Sequence, residues 1–103
     1  MRFLVKVSMA VEAGNEAVRK GTIGATINRI LSELKPEAAY FCDSDGKRTG
    51  FLIIRMEDAH EIPSIAEPWF LAFNAAIEIH PVMAPEDLEK AGPDFAKVVK
   101  AYG

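Results

Sequence analysis

The chain has 103 residues, half of them apolar, enough for one compact core and too few for a second domain. Twelve basic residues against fifteen acidic ones leave a formal charge of −3 with no like-charged run, which argues against a nucleic-acid partner. Cys42 is the sole cysteine, so no intrachain disulfide forms and a reducing, cytoplasmic setting is expected; no apolar run is long enough for a membrane span, and Lys6 interrupts the opening MRFLVKVSM too early for a secretory signal.

Residues Phe3 to Met9 alternate Phe3, Val5, Val7 and Met9 with Leu4, Lys6 and Ser8, the period of a half-buried strand. From about Ala13 to Leu34 the period changes. Ile23, Ile27, Ile30, Leu31 and Leu34 fall three or four apart, the spacing of one helix face. Gly21 and Gly24 each weaken that helix by up to about 1 kcal/mol relative to alanine, so its first half reads as a separate turn or a close backbone crossing. Lys35 ahead of Pro36 ends it.

Ala38 to Cys42 and Thr49 to Glu57 read as strands flanking DSDGKR, in which Asp45-Gly46 suits a type I′ turn with positive φ at both central positions. Counting outward from that turn sets Tyr40 opposite Phe51, Cys42 opposite Thr49 and Ala39 opposite Leu52. Asp58 and Glu61 have the spacing of a capping box and Pro63 fits a first turn, so a helix is expected through Ile62, Ile65, Ala66, Trp69 and Phe70. Trp69 and Phe70 should both be core, and Pro68 should kink or split the helix near Glu67.

The segment FNAAIEIHPVM, Phe73 to Met83, holds the cleanest alternation in the chain and reads as the last strand. It places Ala75, Ile77 and Ile79 on one face and Ala76, Glu78, His80 and Val82 on the other. A helical tail follows from about residue 85. Pro85 opens a short helix closed by Gly92, and Pro93 opens another whose Phe95, Val98, Val99 and Tyr102 form a stripe that needs a surface to dock on.

Strand, helix, hairpin, helix, strand predicts an α+β, ferredoxin-like βαββαβ fold: a four-stranded antiparallel sheet with two helices on one face, plus the C-terminal helices. The first strand then lies between the third and the fourth. Phe3, Val5, Val7, Phe41, Leu52, Ile54, Ile77 and Ile79 meet the helices. The opposite face collects Leu4, Lys6, Ser8, Tyr40, Cys42, Phe51, Ile53, Arg55, Glu78, His80 and Val82, too apolar for open water and too ionic for a dry core. A face of this kind suits a hollow between two sheets related by a two-fold axis.

In element order, in face chemistry and in its exit through EIHPVMAPEDL, the stretch from Met1 to Met83 resembles the dimeric α+β barrel superfamily. The resemblance implies a homodimer of ferredoxin-like protomers packed through the open sheet face. The superfamily takes in muconolactone-isomerase-like proteins and both cofactor-free and haem-linked monooxygenases, so no single activity follows from the fold. The RNA-recognition motif shares the topology, but TGFLIIR offers Phe51 and then Ile53 where that motif needs two aromatics.

His80 and Glu78 are the candidate catalytic pair, because imidazole titrates near neutrality and a carboxylate on the same face can orient it or stabilise its charged form. A histidine hydrogen-bonded within a dimer interface is the plainer reading. Arg55, Lys6 and Tyr40 are the candidate ligand-binding residues: Arg55 for a carboxylate or enolate oxygen unless Glu78 takes it, Lys6 as a rival for the same carboxylate, and Tyr40 as a donor or an interface aromatic. Cys42 is expected to be a small buried hydrophobe. Glu78 and His80 with His60 make a weak metal set, and neither a metal nor a cofactor is expected. The expected function is the binding of a small anionic organic molecule, with acid/base isomerisation or cofactor-free oxygenation as candidate chemistries; the alternative is a non-catalytic dimerisation or binding module.

Overall fold

Strand β1 (Arg2–Ser8) is the spine of the molecule, pairing antiparallel with β3 (Lys47–Arg55) along one edge and with β4 (Ala76–Pro81) along the other. The computed structural model describes Met1–Gly103. With β2 (Ala38–Ser44) outside β3, the sheet order is β2-β3-β1-β4, which is ferredoxin-like. Helices α1 (Val11–Arg19) and α2 (Ile23–Leu34) follow β1, and α3 (Ile62–Phe73) links β3 to β4.

The hairpin between β2 and β3 has the counted register, with Tyr40 opposite Phe51 and Cys42 opposite Thr49. Asp45 and Gly46 take φ of 53° and 72°, as a type I′ turn requires. Phe41 pairs with Gly50, and a Cβ at residue 50 would come within 2.8 Å of the Phe41 ring, so glycine is what lets that ring lie across β3. The long helical stretch divides where Gly21 adopts φ of 69°, giving α1 and α2 in place of one helix.

Side chains from one sheet face and two helices form the core: Val5, Val7, Met9, Leu52, Ile54 and Met56 meet Ile30 of α2 and Ile65, Trp69 and Phe73 of α3. Trp69 is fully buried and packs against Phe73 with ring centroids 6.3 Å apart. Its spacing to Ile65 and Phe73 defines the buried stripe of α3, and Phe70 falls off that stripe, leaving it 38% exposed instead of in the core. Pro68 does not split α3, which runs unbroken to an Asn74 C-cap at φ of 47°. Proline removes one hydrogen bond within the helix, while the burial of Ile65, Trp69 and Phe73 on either side keeps the helix continuous. Phe41, expected among the covered residues, is 45% exposed at the rim, because β2 is the edge strand.

Helices α4 (Pro85–Lys90) and α5 (Gly92–Tyr102) leave the body as an arm. Every residue from 92 to 103 is exposed, including Phe95, Val98, Val99 and Tyr102, so the stripe covers no part of its own chain. The molecule measures 59 × 27 × 20 Å, and its radius of gyration is 17.3 Å. A compact chain of about 100 residues has a radius near 13 Å.

The indole Nε1 of Trp69 is buried without a hydrogen-bond partner. Trp69→Ala should therefore cost about 3–5 kcal/mol in chemical denaturation through the cavity it opens. Trp69→Phe should cost markedly less, since no hydrogen bond is lost.

Candidate functional site

The two ladders of β1 lay out the uncovered face as rows. Ala38, Ile53, Leu4 and His80 lie side by side across the four strands, and Tyr40, Phe51, Lys6 and Glu78 form the next row. One step beyond Leu4 in the other direction, Arg2 pairs with Arg55. No helix of the chain lies over this surface, and Tyr40 is 72% exposed on it.

Glu78 is the hub of the central cluster. Its Oε1 lies 3.1 Å from Nε2 of His80, and its Oε2 lies 3.9 Å from Nζ of Lys6 on the neighbouring strand. Strand alternation puts His80 two residues along on the same face, and β1–β4 pairing puts Lys6 directly across. A neutral His80 donating Nε2–H to Glu78 keeps the Nδ1 lone pair turned away from the carboxylate and free to accept a proton. Lys6, on a central strand, is the least exposed member of the three. An ammonium there can balance a carboxylate or a developing enolate oxygen.

Arg55 does not reach Glu78. It is bound to Glu37, which Arg2 also grips through Nε at 2.9 Å, so a single carboxylate spans two guanidinium groups at one end of the sheet. The hydrogen bond from Arg2, followed by that from Arg55, holds the Glu37 carboxyl below the usual carboxylate range, and the same contact raises Arg2. Tyr40 sits in the same row as Glu78 but three strands away, and its hydroxyl forms no hydrogen bond within the chain. Cys42 is exposed rather than buried, because it lies on an edge strand and on the uncovered side. No three His, Cys, Asp or Glu side chains converge as a metal set, so His60, in the turn before α3, does not join Glu78 and His80.

Two features escaped the sequence reading. The first is the Arg2–Glu37–Arg55 cluster, whose only sequence signal is the single residue by which β1 begins earlier than its apolar alternation. The second is a hollow of about 610 Å³ between the helices and the β2–β3 hairpin. Met9, Ile23, Ile27 and Phe41 line it, and Arg48 spans its wall, donating through Nη1 to Asn15 Oδ1 at 2.9 Å across the Cβ-less backbone of Gly14. Asp43 also lines this hollow, so its charge is mixed, and it holds no acid/base pair of the kind Glu78 and His80 form.

Fold and side chains together define the class: a ferredoxin-like α+β protein whose uncovered sheet face is part apolar and part ionic. More particularly, the chain belongs to the family described as Domain of unknown function (DUF3303), whose profile matches residues 1–96. No curated protein matches the sequence. No helix is long and apolar enough to cross a membrane.

Because the Glu37 carboxyl is depressed, its contacts with Arg2 and Arg55 are complete above the ordinary carboxylate range and disappear as pH falls through its lowered value. In a carbon-detected NMR titration, Glu37 should have a midpoint below the ordinary glutamate range, as should Glu61, which is lowered by the backbone amides of Asp58 and then Glu57. Arg2→Ala should move the Glu37 midpoint upward further than Arg55→Ala does.

Proposed function

We propose that this protein works as a homodimer of the dimeric α+β barrel type, in which two uncovered sheet faces enclose a hollow that binds a small anionic organic molecule. What carries the reading is the line Lys6–Glu78–His80, a cation, a carboxylate and an imidazole in contact on a surface that also presents Leu4, Phe51, Ile53 and Val82. In the enclosed state Lys6 binds the anionic oxygen of the ligand, and His80, oriented by Glu78, takes up or returns a proton at a neighbouring carbon or oxygen. Leu4 and Phe51 hold the organic part and exclude water, which strengthens each charged contact. Arg2 and Arg55, tied to Glu37, hold the mouth at one end, and Tyr40 forms part of the seal. Proton-transfer isomerisation and cofactor-free oxygenation both begin from such an anion. The lone thiol, Cys42, exposed on the edge strand, suits a reducing, cytoplasmic setting.

One observation favours a second reading, a non-catalytic dimerisation module. Each of Lys6, Arg2, Arg55 and His80 already has a carboxylate partner within its own chain, so two faces can close on one another without stranding a charge.

Titration with benzoate and with phenylpyruvate, followed by amide and side-chain NMR shifts, separates the two. The first reading expects shifts at Leu4, Lys6, Phe51 and His80, and a loss of affinity of about ten-fold or more on Lys6→Met, the size of one charge-assisted hydrogen bond. Shifts confined to the hollow beside Arg48 would overturn it, and saturation without any shift on the uncovered face would leave the dimerisation module.

A further inference from the structure

The arm formed by α4 and α5 has an amphipathic helix with nothing beneath it, and its root lies at a telling place. Met83 and Asp87, where the arm begins, share a cleft of about 420 Å³ with Met1, Arg2, Arg55 and Val82. Arg2, Arg55 and Val82 belong to the uncovered side of the sheet, and Asp87 adds to the negative charge around Arg2. The root of the arm therefore lies at the end of the sheet where the uncovered face carries Arg2 and Arg55.

Area identifies the occupant. A four-stranded face with strands about 4.8 Å apart and about seven residues long presents roughly 440 Å² in projection. A stable dimer buries about 800 Å² of accessible surface on each partner, more than the flat outline of the sheet provides. Helix α5, eleven residues long, adds about 16 Å by about 10 Å of apolar surface. In a symmetric dimer each copy both offers one arm and receives one, so that strip counts twice and brings the total close to what a stable pair requires.

We propose that the arm is exchanged between two copies of this chain: the Phe95, Val98, Val99 and Tyr102 stripe of each copy packs on the body of the other, clasping the sheet-to-sheet contact from outside. The inference rests on the homodimer proposed above and adds the element that makes it stable. Asp94, Lys97 and Lys100 flank the stripe and remain in water, which fits a helix laid along a protein surface rather than one buried on all sides. An exchanged arm also closes the end of the hollow at Arg2 and Arg55, since its root already lies there.

The test uses the full-length chain and the variant Phe95→Asp/Val99→Asp, whose altered residues touch nothing in their own body. Far-ultraviolet circular dichroism and the buried Trp69 emission should be unchanged, while the dimer dissociation constant by sedimentation equilibrium should rise at least ten-fold. In dimers mixed from isotope-labelled and unlabelled chains, the Phe95 and Tyr102 rings should show cross-copy NOEs. A variant that dimerises as tightly as the wild type, or NOEs from the stripe to its own body only, would overturn the arm exchange and leave the sheet-to-sheet dimer standing. A wild-type monomer at tens of micromolar would overturn both. Co-sedimentation of the monomer with phosphatidylserine vesicles, lost in the variant, would assign the stripe to a lipid surface and overturn the exchange.

Discussion

A side chain on a strand can point to only one of two sides, and in this chain that choice divides β1 sharply. Val5 and Val7 are sealed beneath Trp69, Phe73 and Ile65, while Leu4 and Lys6, one residue along, share the face that no helix covers. Burial of the first set fixes the register of the whole sheet, because a shift by one residue would carry Lys6 into the core and Val5 out of it. The ionic cluster follows from that constraint. Once β1 is pinned by its valines, Lys6 has no position available except across from Glu78, and Glu78 none except beside His80.

Charge on the uncovered face is arranged with economy. Two carboxylates, Glu78 and Glu37, serve four cationic or ionisable partners, each carboxylate bridging two. Exposed pairs of this sort contribute little to stability in water, since solvent screens them and ordering long side chains has an entropic cost. Their worth changes if water is removed from the face, because the same contacts strengthen as the local dielectric falls. A surface that gains from being covered, next to an arm whose apolar stripe covers nothing of its own, suits assembly better than solitude.

Much of the architecture is readable from local rules. Asp45-Gly46 dictates its turn through the need for two positive φ values, and the register of β2 on β3 follows by counting. The alternation of AIEIH marks both the last strand and the face that bears Glu78 and His80. The errors arise where a local rule meets a tertiary one. Pro68 breaks a helix in isolation, yet Ile65, Trp69 and Phe73 pay for its missing hydrogen bond. Cys42 is usually a buried residue type, yet its parity with Tyr40 and Phe51 places it on the uncovered side of an edge strand. The partner of Arg55 depends on where β1 starts: with Arg2 included in the strand, two guanidiniums become neighbours and draw Glu37 between them. The hollow beside Arg48 depends on how α1 and α2 diverge at Gly21, which periodicity alone does not specify.

All of this turns on the uncovered face having a cover in solution. Paramagnetic relaxation by a soluble gadolinium chelate, read on the methyl groups of Leu4 and Ile53 and on the Tyr40 ring, measures that cover directly. Protection of all three in the native protein, lost on dilution into the monomer range while Val5 and Val7 stay protected, is the expected result. Relaxation of those groups at the rate of freely exposed side chains, at every concentration, would contradict it.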